Sequence, residues 1–193
     1  MKRFSIALLV LFVAFSCAQK EPETATSEGE SATSRAAGDQ PRQMIPDKPV
    51  AAEMHAAIKP YFDAEGTVAE TSISPGESFD VYIIAEFEAD ESMTAAEFKL
   101  NLPQGVSIHH SAETDSATLR SGNAETDFMI AFRCTPGPKM MLMKYTCIAG
   151  NDFTGGTIST DEGARSRFLG FVTCDDPPLQ VGAEKGTAAL NKK

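Results

Sequence analysis

Tryptophan is absent from this chain, and tyrosine occurs only at Tyr61, Tyr82 and Tyr145. Sugar platforms need exposed aromatic rings on a flat face, so the scarcity weighs against a carbohydrate-stacking surface. Histidine is almost as rare. His55 stands alone, and His109 and His110 are neighbours, which in an extended strand point to opposite faces and do not chelate one ion together. Exposed loop positions are expected for them, and zinc is not. No GxSxG, HExxH, Walker loop, GxGxxG or CxxC occurs, so the common signatures of hydrolase, phosphate-binding, dinucleotide-binding and dithiol chemistry are missing. Acidic pairs for glycoside hydrolysis are drawn too freely from 27 acidic residues to single any out. A non-enzymatic chain is the expectation, with no cofactor.

A long apolar run is also lacking. The longest, Ile6 to Phe15, is ten residues, about half of what a spanning helix needs. Lys2 and Arg3 precede it and small residues follow, which is the layout of a secretory signal peptide over residues 1–16. A core helix would carry a polar face, and none of the ten positions is polar.

Ala14-Phe15-Ser16-Cys17 resembles the bacterial lipobox. Ser16 and Cys17 fit it, while Ala14 stands where leucine is usual. The resemblance implies that Cys17 becomes the acylated N-terminus of a lipoprotein, carrying palmitate or similar chains. Several acyl chains at about 0.8 kcal/mol per buried CH₂ make a durable membrane anchor. The same resemblance implies an outer-membrane address, because position 18 is alanine rather than the aspartate that retains many such proteins at the inner membrane. Glu21 and Glu23 resemble the export tags of some surface lipoproteins, and the periplasmic and cell-surface faces both stay open.

Ala, Ser, Thr, Glu, Gly and Pro dominate from Ala18 to Ile45, and no aromatic residue falls between Phe15 and Tyr61. That composition buries too little apolar surface to offset chain entropy, so residues 17–45 read as the lipidated cysteine and a disordered tether. The 28 residues after Cys17 span roughly 30 Å as a flexible coil. Residues 46–193 are long enough for one domain with a proper core. Losing the two cations Lys2 and Arg3 with the signal peptide takes the net charge from −10 to −12. So acidic a surface opposes nucleic acid and anionic headgroups.

Alternation dominates that domain. In "FDVYIIAEFEAD", Val81, Ile83, Ala85 and Phe87 share one face, with Tyr82, Ile84, Glu86 and Glu88 on the other. "AAEFKLNLPQGVSI" supplies a second strand through Phe98, Leu100 and Leu102 and, after a Pro103-Gln104-Gly105 turn, a short third. "DFMIAFRCTPGPKMMLMKYTCIAG" reads as a hairpin about Pro136-Gly137-Pro138, with Phe128, Ile130, Phe132 and Cys134 going out and Met141, Met143, Tyr145 and Cys147 returning. "RFLGFVTC", "LQVG" and "GTAALN" finish the sheet. Helix is expected only at "DKPVAAEMHAAI" and for a turn at "DESMTAAEF". Short strands at this spacing predict a mainly β fold, a single antiparallel β-sandwich of Ig-like layout.

"PGESFDVYIIAEF" followed by "AAEFKLNLPQGVSI" resembles the opening of cohesin-type and carbohydrate-binding-module-like sandwiches, over about residues 60–110. Tyr61-Phe62-Asp63-Ala64-Glu65-Gly66-Thr67 is similar to the "YFD.EGT" opening of uncharacterised secreted bacterial proteins. Neither likeness carries an activity, because fold alone does not imply function.

With Cys17 set aside, Cys134, Cys147 and Cys174 are an odd number for an oxidising compartment. In a tight hairpin Cys134 and Cys147 stand roughly 20 Å or more apart, against the 7 Å or so that a disulfide spans. Cys174 therefore pairs with Cys134 or with Cys147. The first is preferred, because "CTPGP" and "CDDPP" both close strands at turn-rich ends, while Cys147 continues an apolar face and suits a buried thiol. Met140, Met141 and Met143 could suggest copper(I), but Met141 and Met143 share the inward face and read as core. Calcium is the one ion to keep in view, through Glu86, Glu88, Asp90 and Glu91, Asp152, or Asp175 and Asp176; none has EF-hand spacing, and a solvated acidic edge is preferred.

These readings converge on a membrane-anchored extracytoplasmic lipoprotein, a non-enzymatic binding or structural module with a protein or glycan partner. A calcium-stabilised adhesion or carbohydrate-binding domain, or an enzyme with an unrecognised site, are the alternatives.

Overall fold

A computed structural model of the chain describes residues 55–193. The expected signal peptide (1–16), lipidated Cys17, tether (17–45), domain start at 46 and most of the first expected helix lie outside the described residues. Within them run β1 (Ala57–Tyr61), β2 (Glu70–Ile73), β3 (Ser78–Glu86), β4 (Ser92–Asn101), β5 (Val106–Glu113), β6 (Ala117–Asn123) and β7 (Asp127–Pro136). β8 (Lys139–Ala149), β9 (Gly156–Asp161), β10 (Gly170–Thr173), β11 (Gln180–Gly182), β12 (Glu184–Lys185) and β13 (Thr187–Lys192) follow, with no helix among the described residues. The expected β-sandwich is present.

One sheet runs β12-β1-β3-β8-β5. The other is built on β4, which has β7 and then β6 on one flank, and on the other flank β10 with β11 and, further along, β9, β13 and β2. β3 holds the first sheet together because its alternation puts Phe79, Val81, Ile83 and Ala85 into the core. Opposite it, β8 carries an extra residue where its register shifts between Ile83 and Ile84. That bulge changes which methionines face inward. Met140, Leu142 and Met143 are buried, whereas Met141, expected inward, is half-buried opposite Ile84.

The second sheet supplies Phe98, Leu100, Phe128, Ile130 and Phe171, with tilted ring pairs at 5.4 Å (Phe98–Phe128) and 5.8 Å (Phe87–Phe171). Each such side chain stabilises the fold by about 1.5–3 kcal/mol through area removed from water.

Three expectations need correction. "DESMTAAEF" is not a helical turn but the start of β4, because pairing on both flanks outweighs the helix propensity of Ala95, Ala96 and Glu97. In "DKPVAAEMHAAI", the described end, Ala57 and Ile58, is strand β1 rather than helix. Nor do β7 and β8 form a hairpin: β7 pairs with β4 and β6, β8 with β3 and β5, so Pro136-Gly137-Pro138 carries the chain from one sheet to the other. Cys134 and Cys147 are thus kept apart by sitting in different sheets.

Cys134 is bonded to Cys174, with Cα atoms 5.9 Å apart. The bridge joins the end of β7 to the residue after β10, across the start of β4, where the Cys174 N–H donates to the Ser92 carbonyl at 3.0 Å. Cys147 is a free, fully buried thiol, and burial pushes its pKa up to about 12, with the charges of Asp80 and Glu125 adding to the rise.

The two long sides of the sandwich differ. On one, Thr160 of β9 is 1% exposed and fully engaged: its hydroxyl donates to the Ile58 carbonyl of β1 and accepts the Gly186 N–H at 2.9 Å, while its own N–H donates to the Gly186 carbonyl at 3.0 Å. Asp161, beside it, takes Lys185 as ion-pair partner and Lys99 at 3.9 Å. The bond from Lys185 and the Glu162 N–H outweigh burial, and the Asp161 carboxyl is held at about 2. On the other side, β5 and β6 are joined by a short turn and then diverge, one into each sheet, and each pairs on one flank only.

Candidate functional site

The outer face of β1, β3 and β8 carries an ordered array of charged and aromatic side chains. Tyr61 and Tyr82 are direct cross-strand neighbours, as are Tyr82 and Lys144, and Asp80 and Thr146. Glu86 accepts from Lys59 Nζ at 2.7 Å and from the Tyr61 hydroxyl at 2.9 Å, with Lys139 Nζ at 3.2 Å. Burial alone would raise the Glu86 carboxyl, but these three donors hold it below the ordinary value. Tyr61 is pushed up to about 12, by burial first and then by the Glu86 carboxylate. Lys139 lies 5.8 Å from the Tyr61 ring centroid and Lys144 5.5 Å from that of Tyr82. Lys144 also pairs with Asp80 at 2.8 Å, and Thr146 donates to the same carboxylate at 2.8 Å. These bonds depress the Asp80 carboxyl against a burial effect of opposite sign, and raise the Lys144 ammonium.

A loop closes over one end of this face. Asp63 accepts from the Thr67 N–H (2.9 Å), the Thr67 hydroxyl (2.6 Å) and the Val68 N–H (2.6 Å). Gly66 sits at φ +67°, and a Cβ there would stand 2.9 Å from Ile84 Cδ1. Ile84 points outward yet is only 2% exposed, because this loop covers it. The YFDAEGT stretch is therefore a structural clasp, with Lys139 Nζ reaching the Gly66 carbonyl at 3.2 Å.

Two cavities among the described residues bear on a site. The larger, about 470 Å³, opens between β5 and β6 and is lined by Ile108, Phe128 and Tyr145 inside and by Ser111, Arg120 and Asn123 among others toward solvent. The smaller, about 300 Å³, lies by His55, Lys59, Glu86 and Glu184.

The predicted ion ligands are only partly brought together. Asp90 and Asp175 join Glu88 around Glu91, whose carboxyl is raised by slight burial and then by these like charges. Asp152 and Asp176 are exposed, and Glu86 is engaged by cations. Among the described residues no group of three or more His, Cys, Asp or Glu is disposed to hold a metal ion. His109 and His110 lie in strand β5 rather than in a loop. A register shift between Ile108 and His110 leaves both exposed.

The residues that sequence reasoning missed are Lys59, Asp80, Lys139 and Lys144. Their partners Tyr82 and Glu86 were readable as outward positions of β3, but which cations meet them depends on β1 and β8 being its neighbours.

No family model matches the chain, and no curated protein matches it. Solved structures do. The third ScaB cohesin of R. flavefaciens, solved in complex with a group 1 dockerin, aligns at a TM-score of 0.50 and 11% identity, over 75% of this chain and 99% of that one. The chain shares the cohesin β-sandwich fold. The seventh ScaB type I cohesin from Pseudobacteroides cellulosolvens (TM-score 0.49, 13% identity, 72% and 93% covered) and a cohesin module from a Clostridium perfringens family 33 glycoside hydrolase (0.47, 14%, 72% and 98%) are similar to it as well. The cohesin resemblance of "PGESFDVYIIAEF" and "AAEFKLNLPQGVSI" thus has its counterpart in the whole domain: these segments are β3 and β4, the central strands of the two sheets.

Proposed function

We propose that this chain is a membrane-anchored extracytoplasmic lipoprotein whose cohesin-like sandwich binds a protein partner without catalysis. The anchor is acylated Cys17, the address is the outer membrane, and the tether lets the domain reach partners away from the bilayer. The observation that carries the binding reading is the outer face of β1, β3 and β8. It offers two tyrosines fixed by neighbouring lysines and carboxylates, so little side-chain entropy is lost when a partner covers them. Tyrosine buried at the centre of an interface is among the commonest sources of binding energy.

Two experiments test the two halves. Cells expressing the full chain and fed labelled palmitate should label it and retain it in the membrane fraction. A Cys17→Ala chain should lose both properties, and one that still sediments with membranes would contradict the anchor. For the partner, proteins captured by the wild-type chain from an extracytoplasmic extract should be lost with Tyr82→Ala and Lys144→Gln, each variant remaining folded by circular dichroism. Capture that survives both substitutions would contradict the assignment of this face.

A further inference from the structure

We propose that the cavity between β5 and β6 is a binding site for a small organic acid, a carboxylate carried on an apolar body. This site lies apart from the outer face of β1, β3 and β8 and does not rest on the protein-binding reading. Its volume, about 470 Å³, falls within the range of small-molecule sites.

The inner wall is apolar: Ile108 from β5, Phe128 from β7 and the ring of Tyr145 from β8. Tyr145 is 2% exposed, and its hydroxyl is the one buried side-chain polar atom among the described residues without a hydrogen-bond partner. That hydroxyl has no contact with solvent, so it sits behind the cavity wall and a ligand reaches it only when the Tyr145 ring turns toward the cavity; phenylalanine would fill the same space without leaving a polar atom unpaired. The opposite side of the sandwich shows the contrast, since the buried Thr160 hydroxyl both donates and accepts.

The rim chooses the charge of the occupant. Arg120, Ser111 and Ser121 offer N–H and O–H donors. Asn123 uses its carbonyl oxygen on the Glu125 N–H at 2.8 Å, so what it has left to offer is also a donor. Arg120 already meets a carboxylate, Glu113 Oε2 at 3.2 Å, so a carboxylate arriving in the cavity competes with Glu113 for the guanidinium. Both partners of that pair are about half exposed, so the bond is weak and open to exchange. Glu125 is the one acidic residue of the lining and stands on the exposed turn between β6 and β7. Its charge opposes the ligand and limits the affinity.

The test titrates the ¹⁵N-labelled full chain with phenylacetate, hexanoate, phenylacetamide and phenethylamine. The acids should shift amide signals of Ile108, Ser111, Arg120 to Glu125 and Phe128, and bind at least tenfold more tightly than the amide or the amine. Arg120→Gln should remove that preference, and Glu125→Gln should tighten acid binding several-fold. Tyr145→Phe should weaken binding while leaving the thermal midpoint of the unliganded protein unchanged or higher. Absence of shifts at these amides with both acids, equal binding of the amine, or a Tyr145→Phe chain that binds normally would each overturn the proposal.

Discussion

The sandwich has one side that is sewn shut and one that is open, and the difference lies in how each treats its buried polar groups. Where β9 meets β1 and β13, Thr160 satisfies the Ile58 carbonyl of β1 and the N–H of Gly186, which links β12 to β13, and Asp161 holds Lys185 just outside. Where β5 and β6 part, Tyr145 brings a hydroxyl into the interior and leaves it without a partner beside the larger cavity. A seam whose buried hydroxyl both donates and accepts stabilises the fold. A wall with a bond unmade is suited to a ligand that makes it.

The comparison is broken most severely by cutting what clamps the sheet carrying the open edge. Cys134 and Cys174 are 40 residues apart, and the chain-entropy view gives such a bridge about 4 kcal/mol. Replacing both by serine should lower unfolding free energy by about that much in urea. A loss below about 1 kcal/mol would mean that β7 and β10 are held at β4 without it.

Next in size is Thr160→Val, which keeps the shape but strands the Ile58 carbonyl and the Gly186 N–H. It should cost about 1–3 kcal/mol by the same measurement. The acid limb of stability tests Asp161. Its folded carboxyl is held at about 2, against 3.8 for the free group, so the stability it contributes is complete above about pH 4 and is lost as pH falls toward 2. Because Lys185 and Asp161 are partly exposed, Asp161→Asn should cost about 1 kcal/mol or less near neutrality and should flatten the curve between pH 4 and 2. Smallest is Tyr145→Phe, whose unfolding free energy should stay within about 0.5 kcal/mol of wild type or rise. A large loss there would erase the distinction between the two sides.

Strands with strict alternation were legible from the residues. β3, β4 beyond Ala95 and β7 each alternate a buried row with a more accessible one, and the sandwich follows from them. β6 was not legible, since as an edge strand it is exposed along nearly its whole length and ATLRSGN has no apolar row to read. β9 hides in hydroxyl residues around the single apolar Ile158, and β2 is four residues long. Turn chemistry at Pro136-Gly137-Pro138 marks the break between two strands, but it does not say which strand the chain will pair with, and the expected hairpin is a crossing between sheets. The same limit hid the site. Ile108, Arg120, Phe128 and Tyr145 come from four strands of two sheets, and only their pairing places them around one cavity.

Amide hydrogen exchange on the full chain tests the contrast between the two sides most directly, because it reads opening strand by strand. Amides of β1 and β9 that are bonded across the closed side should exchange near the rate of global unfolding. Those of β6 should exchange at least a hundredfold faster and slow down when phenylacetate is added. Uniform protection across β1, β9 and β6, unchanged by the acid, would contradict the account.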